Sequence, residues 1–350
     1  MGLLPSRFGL FTSRSCCNMR CMGAILEVRD LRVAYRSRGG VIFRALDGIS
    51  FSLEPGEVMG VLGESGSGKS TLATSLLRLF HANAVDISGS VLFQGQDLLQ
   101  AEADELQKIR GKLISLIFQE PSVALHPTLR AGRQVRQVLA AHGMNCRSAL
   151  EKRTREVLGR LFFAEEAERI ARSYPHQLSG GQRQRVLIAQ AIACGPSVLI
   201  ADEPTASLDP TTQMETLGVF RTLRKSMGLT MIFITHNPAL LGDFADRVLV
   251  LYAGRVVELG AAQDILVSPK HPYTRALFQS IAPLFDTRRD SSKKKLPTIS
   301  GDSLESSLPV AGCPFEPRCP ERMEICKSRE PGLVNVSETH TVSCFRYESP

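Results

Sequence analysis

Tryptophan is absent from these 350 residues and only 5 are tyrosine, which leaves few aromatic platforms of the kind on which single-stranded nucleic acid stacks. Apolar runs are short as well. A membrane-spanning helix needs about 20 apolar residues, whereas Met231-Ile-Phe-Ile234 and Val248-Leu-Val-Leu-Tyr252 are of strand length. Any task at a bilayer then falls to contact with separate, membrane-embedded chains. Acids are missing altogether from residues 1–21, and over the whole chain they number 35 against 42 bases, a formal net charge of +7. That excess, with Arg183, Arg185, Arg288, Arg289 and Lys293-Lys-Lys295, invites a nucleic-acid reading. Without an aromatic surface beside it, a solvated basic surface facing an anionic membrane leaflet is the better account.

What is present is the balance of a packed globular chain, 43% hydrophobic and 22% charged, over a length that accommodates two compact units. Its most mechanical signal is Gly63-Glu-Ser-Gly-Ser-Gly-Lys-Ser70, the G-x-x-x-x-G-K-[ST] spacing of a phosphate loop. The apolar stretch Val58–Leu62 before it reads as a strand. Thr71–Phe80 after it reads as a helix burying Leu72, Leu76 and Leu79 or Phe80. Gly63, Glu64, Ser65, Gly66, Ser67 and Gly68 would wrap phosphate with backbone N–H groups, and the helix start at Thr71 adds a favourable dipole. Lys69 would pair with the β- and γ-phosphates, and the Ser70 hydroxyl would take one position on Mg²⁺.

Ser197-Val-Leu-Ile-Ala-Asp-Glu203 is an apolar run ending in two acids, as expected of a parallel strand buried on both faces. Carboxylates at the C-terminal end of such a strand lie where open α/β sheets bind ligands. Asp202 would hold Mg²⁺, directly or through water, and Glu203 would orient the attacking water or accept its proton. Leu178-Ser-Gly-Gly-Gln182 forms a second anion site, where Ser179, Gly180 and Gly181 offer a hydroxyl and bare N–H groups at a helix start. That helix is expected to stop at Cys194-Gly195-Pro196.

The Leu178–Gln182 peptide resembles the signature sequence of the ATP-binding cassette (ABC) ATPases, and the other motifs fall in that family's order. The resemblance implies an α/β fold, a P-loop NTPase ABC cassette. Its mainly parallel sheet core carries N-terminal antiparallel strands, an inserted helical subdomain at about 105–178, and a small cysteine-containing C-terminal extension. It also implies that Tyr35 stacks on adenine, that Gln119 joins Mg²⁺ and the attacking water to the membrane-facing part, that Asp209 lies in the loop that crosses the dimer, and that His236 contacts the γ-phosphate. The family pairs two cassettes head to tail, so that Ser179, Gly180, Gly181 and Gln182 of one close over the nucleotide on the other. Asn237 and His126 depart from the residues usual in the family, Asp and Asn.

Four of the nine cysteines, Cys313, Cys319, Cys326 and Cys344, fall in the last 38 residues. Their number suits zinc or a [4Fe–4S] cluster, and a small tail packed on structural thiols with no metal is the third reading. The sequence Cys313-Pro-Phe-Glu-Pro-Arg-Cys-Pro320 resembles the extension of peptide-transporting ABC ATPases, some of which carry an iron–sulfur cluster. His271-Pro-Tyr-Thr-Arg275 and Tyr174-Pro-His-Gln177 narrow the likeness to the dipeptide/oligopeptide branch, which includes nickel importers.

The expected organisation is an N-terminal extension at 1–23, with translation starting at Met19 or Met22, an ATPase domain at 24–269, and an extension at 270–350 containing a linker at 286–311. The implied protein is a peripheral ATPase on the cytoplasmic face of the inner membrane, using ATP and Mg²⁺ to drive uptake of di- or oligopeptides. Its partners would be a second ATPase subunit, identical or a sister chain, two transmembrane permease subunits and, indirectly, an external solute-binding protein, with no nucleic acid. The alternatives are an importer of nickel or another small solute on the same branch, or a soluble ABC ATPase acting on nucleic acid or ribosomes.

Overall fold

The computed structural model describes residues 23–120, 124–281 and 311–348. The proposed start sites and nearly all of the expected linker lie outside these residues. The chain begins with two long strands, β1 (Leu26–Arg36) and β2 (Ile42–Leu53), then β3 (Val58–Leu62), the phosphate loop and a short helix α1 (Lys69–Ser75). Strands β4 (Ala84–Phe93) and β5 (Gln96–Asp97) complete an antiparallel sheet in the order β2-β1-β4-β5.

Helix α1 stops earlier than the Thr71–Phe80 pattern predicts. Arg78 adopts a left-handed conformation, φ 52°, and the Arg110 guanidinium donates to the carbonyls of Leu77 and Arg78. A side chain thus takes the acceptors that a longer helix would have used. Leu72 and Leu76 are buried as expected, while Leu79 and Phe80 are half-buried.

Beyond α2 (Ala103–Ile109), strand β6 (Ile114–Ile117) pairs in parallel with β7 (Val198–Asp202). It belongs to the main sheet although it falls inside the stretch expected to be helical. The helical part lies between, in α3 (Ala131–Ala141), α4 (Arg147–Gly159) and α5 (Ala164–Arg172), followed by the signature helix α6 (Gly180–Ile192). Next come α7 (Pro210–Met227), β8 (Thr230–Ile234), β9 (Arg247–Tyr252) and β10 (Arg255–Ala261). The turn joining β9 to β10 has positive φ at both Ala253 and Gly254, the requirement of a two-residue hairpin turn of type I′.

Strands β9, β3, β8, β7 and β6 lie side by side in parallel. Their apolar continuity follows from burial on both faces. Met59, Val61, Ile200, Ile232 and Ile234 face a core shared with the antiparallel sheet and α1, while Val58, Leu199, Ala201, Met231 and Phe233 face a second core shared with the helices. Each fully buried residue of this kind contributes about 1.5–3 kcal/mol, so both faces anchor the strand ends that carry the site.

The tail extends the same sheet. After α8 (Ala262–Val267) and α9 (Pro272–Ile281), β11 (Leu333–Ser337) and β12 (His340–Ser343) form a hairpin whose β12 pairs antiparallel with β10. Glu258, fully buried on β10, ties the junction by accepting from His340 Nε2 at 2.7 Å and from the backbone N–H groups of Lys270 at 2.6 Å and His271 at 3.1 Å. His271 in turn accepts the Tyr273 N–H on Nδ1 at 3.0 Å at the start of α9, and burial pushes its pKa down to about 3, so the ring is neutral.

Candidate nucleotide site

Three segments converge at the C-terminal ends of the parallel strands. The phosphate loop leaves β3, Glu203 directly follows β7, and His236 lies two residues beyond the end of β8. The loop's path depends on two glycines. A Cβ at Gly63 would stand 2.5 Å from the Leu251 carbonyl oxygen, and one at Gly68, φ 103°, would stand 2.5 Å from that of Ala45. The loop is also hung from the β9–β10 turn, because Gly254 N–H donates to the Ser67 carbonyl and Asp47 N–H to the Gly254 carbonyl.

A cleft opens between this loop and β2. It is lined by Ser65, Gly66, Gly68, Lys69, Ser70, Thr71, Gln119 and Glu203, and on its other wall by Phe43, Arg44, Ala45 and Ala253. Of the expected loop residues, Gly63, Glu64 and Ser67 shape the loop from behind without lining the cleft. Lys69 is buried. Its Nζ donates to the carbonyls of Gly63 at 2.9 Å and Glu64 at 2.8 Å and stands 3.8 Å from Glu203 Oε1. Burial lowers its pKa, partly countered by Glu203 and Asp202. A desolvated ammonium with two fixed acceptors has one donor left for an anion.

Glu203 sits at φ 45°, a conformation that costs a non-glycine residue energy and clusters at functional sites. Three groups hold its carboxylate. His236 Nδ1 and Gln119 Nε2 each lie 3.2 Å from Oε2, and Lys69 faces Oε1. The bond to His236 is the main cause of a lowered Glu203 pKa, and the reciprocal bond raises that of His236. At neutral pH Glu203 is therefore an anion, as a base must be.

Asp202 beside it has its pKa raised, first by burial, and the Ser70 side chain hydrogen-bonds to its carboxylate. Its Oδ1 is buried with no hydrogen-bond partner among the described residues. An orphaned carboxylate oxygen next to a hydroxyl is the hard-oxygen donor set that Mg²⁺ requires, so these two residues fit the ion.

The signature residues lie outside the cleft. Ser179 caps α6, its Oγ accepting from Gln182 N–H while Gln182 Oε1 accepts from Ser179 N–H. Asp209 caps α7 by accepting from Thr212 N–H at 3.1 Å. A Cβ at Gly181 would meet Thr212 Cγ2 at 2.6 Å, so the two helix starts touch and Gly181 is bare for packing reasons as well.

Tyr35 departs from the expectation. Its ring is buried in the core between the sheets, its hydroxyl has no partner, and it does not line the cleft. Phe43, its cross-strand partner in the β1–β2 register, lies 5.9 Å away centroid to centroid and faces the cleft in its place.

The tail cysteines are close enough for their charges to interact, but among the described residues no group of three or more His, Cys, Asp or Glu has the arrangement to hold a metal ion. The iron–sulfur expectation thus gains no support. Burial pushes the thiols of Cys313 and Cys319 up to about 11, so both are protonated, and both pack against the helix-side core.

Residues 46–206 match the ABC transporter family, and residues 257–326 match the oligopeptide/dipeptide transporter C-terminal region. The chain is 40% identical to the oligopeptide transport ATP-binding protein OppD of Escherichia coli over 92% of its own length and 93% of that protein's. It is 39% identical to a probable peptide ABC transporter ATP-binding protein of Sinorhizobium fredii, covering 92% and 95%. Among solved structures it resembles the dimeric post-hydrolysis state of the ATP-binding cassette MJ0796 bound to ADP and Pi, at TM-score 0.60 and 31% identity, covering 68% of this chain and 98% of that one.

Proposed function

This chain belongs to the ABC transporter ATPases, on the branch with the oligopeptide/dipeptide C-terminal region, and we propose that it hydrolyses ATP to drive import of di- or oligopeptides through membrane subunits it contacts. The observation that carries the catalytic reading is the convergence of Lys69, Gln119 and His236 on the Glu203 carboxylate at one end of the parallel sheet.

The phosphate-loop N–H groups and Lys69 bind the β- and γ-phosphates. Ser70 and Asp202 would hold Mg²⁺, which would offset charge on the phosphate oxygens. Glu203 orients a water toward the γ-phosphorus and takes its proton as the new P–O bond forms and the bond to the β-phosphate oxygen breaks, leaving ADP and phosphate. Gln119 and His236 fix the carboxylate that does this. Phe43 and Arg44 form the wall nearest the base and sugar.

The cleft is about 250 Å³, below the roughly 300–1,000 Å³ of a complete small-molecule site. The anion-binding start of α6 lies elsewhere on the same chain. Both facts favour a nucleotide shared by two cassettes, with Ser179 and Gly181 of a second copy or a sister chain closing over the γ-phosphate. Binding that is tight only in the closed pair is what lets ATP shift the equilibrium. Phe118, half exposed beside Gln119, borders an apolar groove with Leu116, Ala124, Val138 and Leu187. This groove suits a segment of the membrane subunits, and no helix among the described residues is long and apolar enough to cross a membrane itself. The assembly would then place the chain on the cytoplasmic face.

Uptake in cells lacking this gene tests the reading. Radiolabelled di- or oligopeptide should enter only when the wild-type chain is restored, and not with Glu203→Gln. Restored nickel uptake with peptide uptake unaffected would replace the peptide assignment with the nickel alternative.

A further inference from the structure

The His271-Pro-Tyr motif and the cysteine-bearing tail have no part in the site as drawn so far, yet both reach the phosphate loop. The hydroxyl of Tyr273, a fully buried residue on α9, accepts the backbone N–H of Glu64 at 2.8 Å across 209 positions of sequence. From the other side Arg318 grips the Glu64 carboxylate with two bonds, NH1 to Oε2 at 2.8 Å and NH2 to Oε1 at 3.2 Å, across 254 positions. Glu64 is the residue whose carbonyl accepts from Lys69 Nζ at 2.8 Å. Both ends of this one residue are therefore held by the C-terminal extension, and its remaining backbone group holds the lysine.

The clamp stands on a rigid base. The rings of Tyr252, Tyr273 and Phe315 pack mutually at 4.6–5.5 Å. The Arg318 guanidinium lies 5.8 Å from the Tyr252 ring centroid, with NH1 also 3.3 Å from its hydroxyl. His271 lies against Phe315 and, through its bond to the Tyr273 N–H, fixes the first turn of α9. A planar, two-pronged guanidinium on a carboxylate sets orientation as well as distance. Glu64 faces away from the cleft, so this geometry is spent on the loop and not on the ligand.

We propose that Tyr273 and Arg318 are positioning residues for nucleotide binding: by fixing the Glu64 peptide they hold Lys69 and the phosphate loop in the conformation that receives the phosphates, which makes the C-terminal extension part of the nucleotide site. The inference rests on the reading that the cleft binds ATP. An ordered loop spares the nucleotide the entropy of ordering it, so loosening the clamp acts on affinity more than on the chemical step.

The test uses the full-length chain, with binding of a fluorescent ATP analogue and steady-state phosphate release measured for Tyr273→Phe, Arg318→Met, Glu64→Gln and the double variant Glu64→Gln/Arg318→Met. Loss of one neutral hydrogen bond should raise KM for ATP about 5-fold in Tyr273→Phe, and loss of the charged pair about 10-fold or more in Arg318→Met. In both, kcat should fall by less than KM rises, since Gln119 and His236 still hold the Glu203 carboxylate. The double variant should be no weaker than Arg318→Met alone, because both changes break the same contact. Glu64→Gln also probes the clamp from the loop side should Arg318→Met fail to fold. Unchanged ATP affinity in folded variants, or fully additive losses in the double variant, would overturn the proposal. A wild-type chain that binds no nucleotide would remove the reading beneath it, an outcome distinct from either.

Discussion

His236 Nδ1 lies 3.2 Å from Glu203 Oε2, and each side chain favours the charged form of the other. His236 is raised from 6.5, so its pairing is complete below that value and is lost as the pH climbs through the higher folded one. Glu203 is lowered from 4.5, so its share is present above that value and is lost as the pH falls through the lower one. Both charges are therefore present between 4.5 and 6.5. An NMR titration of His236 should show a midpoint above 6.5 that falls back in Glu203→Gln; a midpoint indifferent to that substitution would contradict the pairing.

Phe43 and Tyr35 make opposite predictions for nucleotide binding. Phe43→Ala should weaken binding of a fluorescent ATP analogue about 5-fold or more, the scale of one lost base–aromatic contact. Tyr35→Phe removes only a buried, unpartnered hydroxyl. Affinity should not change, and stability in urea should be unchanged or higher by up to about 1 kcal/mol. Wild-type affinity in Phe43→Ala would contradict a contact between Phe43 and the base.

Glu258→Ala should unfasten the tail. Three donors, from Lys270, His271 and His340, the last two buried, would lose their acceptor, at a cost of about 3 kcal/mol. Trypsin should then cut within residues 311–348 faster than in the wild-type chain, and affinity for ATP should fall with the loss of the clamp on Glu64. A variant with the wild-type cleavage pattern and melting temperature would show that the junction is held by other contacts.

Local chemistry explains which parts of this were legible in the sequence. The phosphate loop, the apolar strands flanking it and the hairpin at Ala253-Gly254 announce themselves because their residue types are dictated within a few positions: bare backbone at Gly63 and Gly68, burial on both faces, positive φ at a two-residue turn. The end of α1 was hidden because Arg110, more than 30 positions away, takes its carbonyls. β6 is four residues long, too short for its period to separate it from the helices around it. Whether Tyr35 lines the cleft was not legible, because an aromatic at a strand end reads the same whether it faces ligand or core. The contacts of Glu64 with Tyr273 and Arg318 join positions more than 200 apart, and no local pattern marks them. The cysteine spacing suggested a metal, but spacing fixes the number of ligands and not whether their sulfurs converge.

The proposed function rests on hydrolysis by the carboxylate that Lys69, Gln119 and His236 gather in this cleft. Phosphate release by Glu203→Gln at saturating ATP, measured on protein whose nucleotide affinity has been checked in the same preparation, tests it most directly. Turnover should fall about 100-fold or more, the scale of a lost general base, while ATP binding persists. Turnover equal to that of the wild-type chain, with binding intact, would contradict the account.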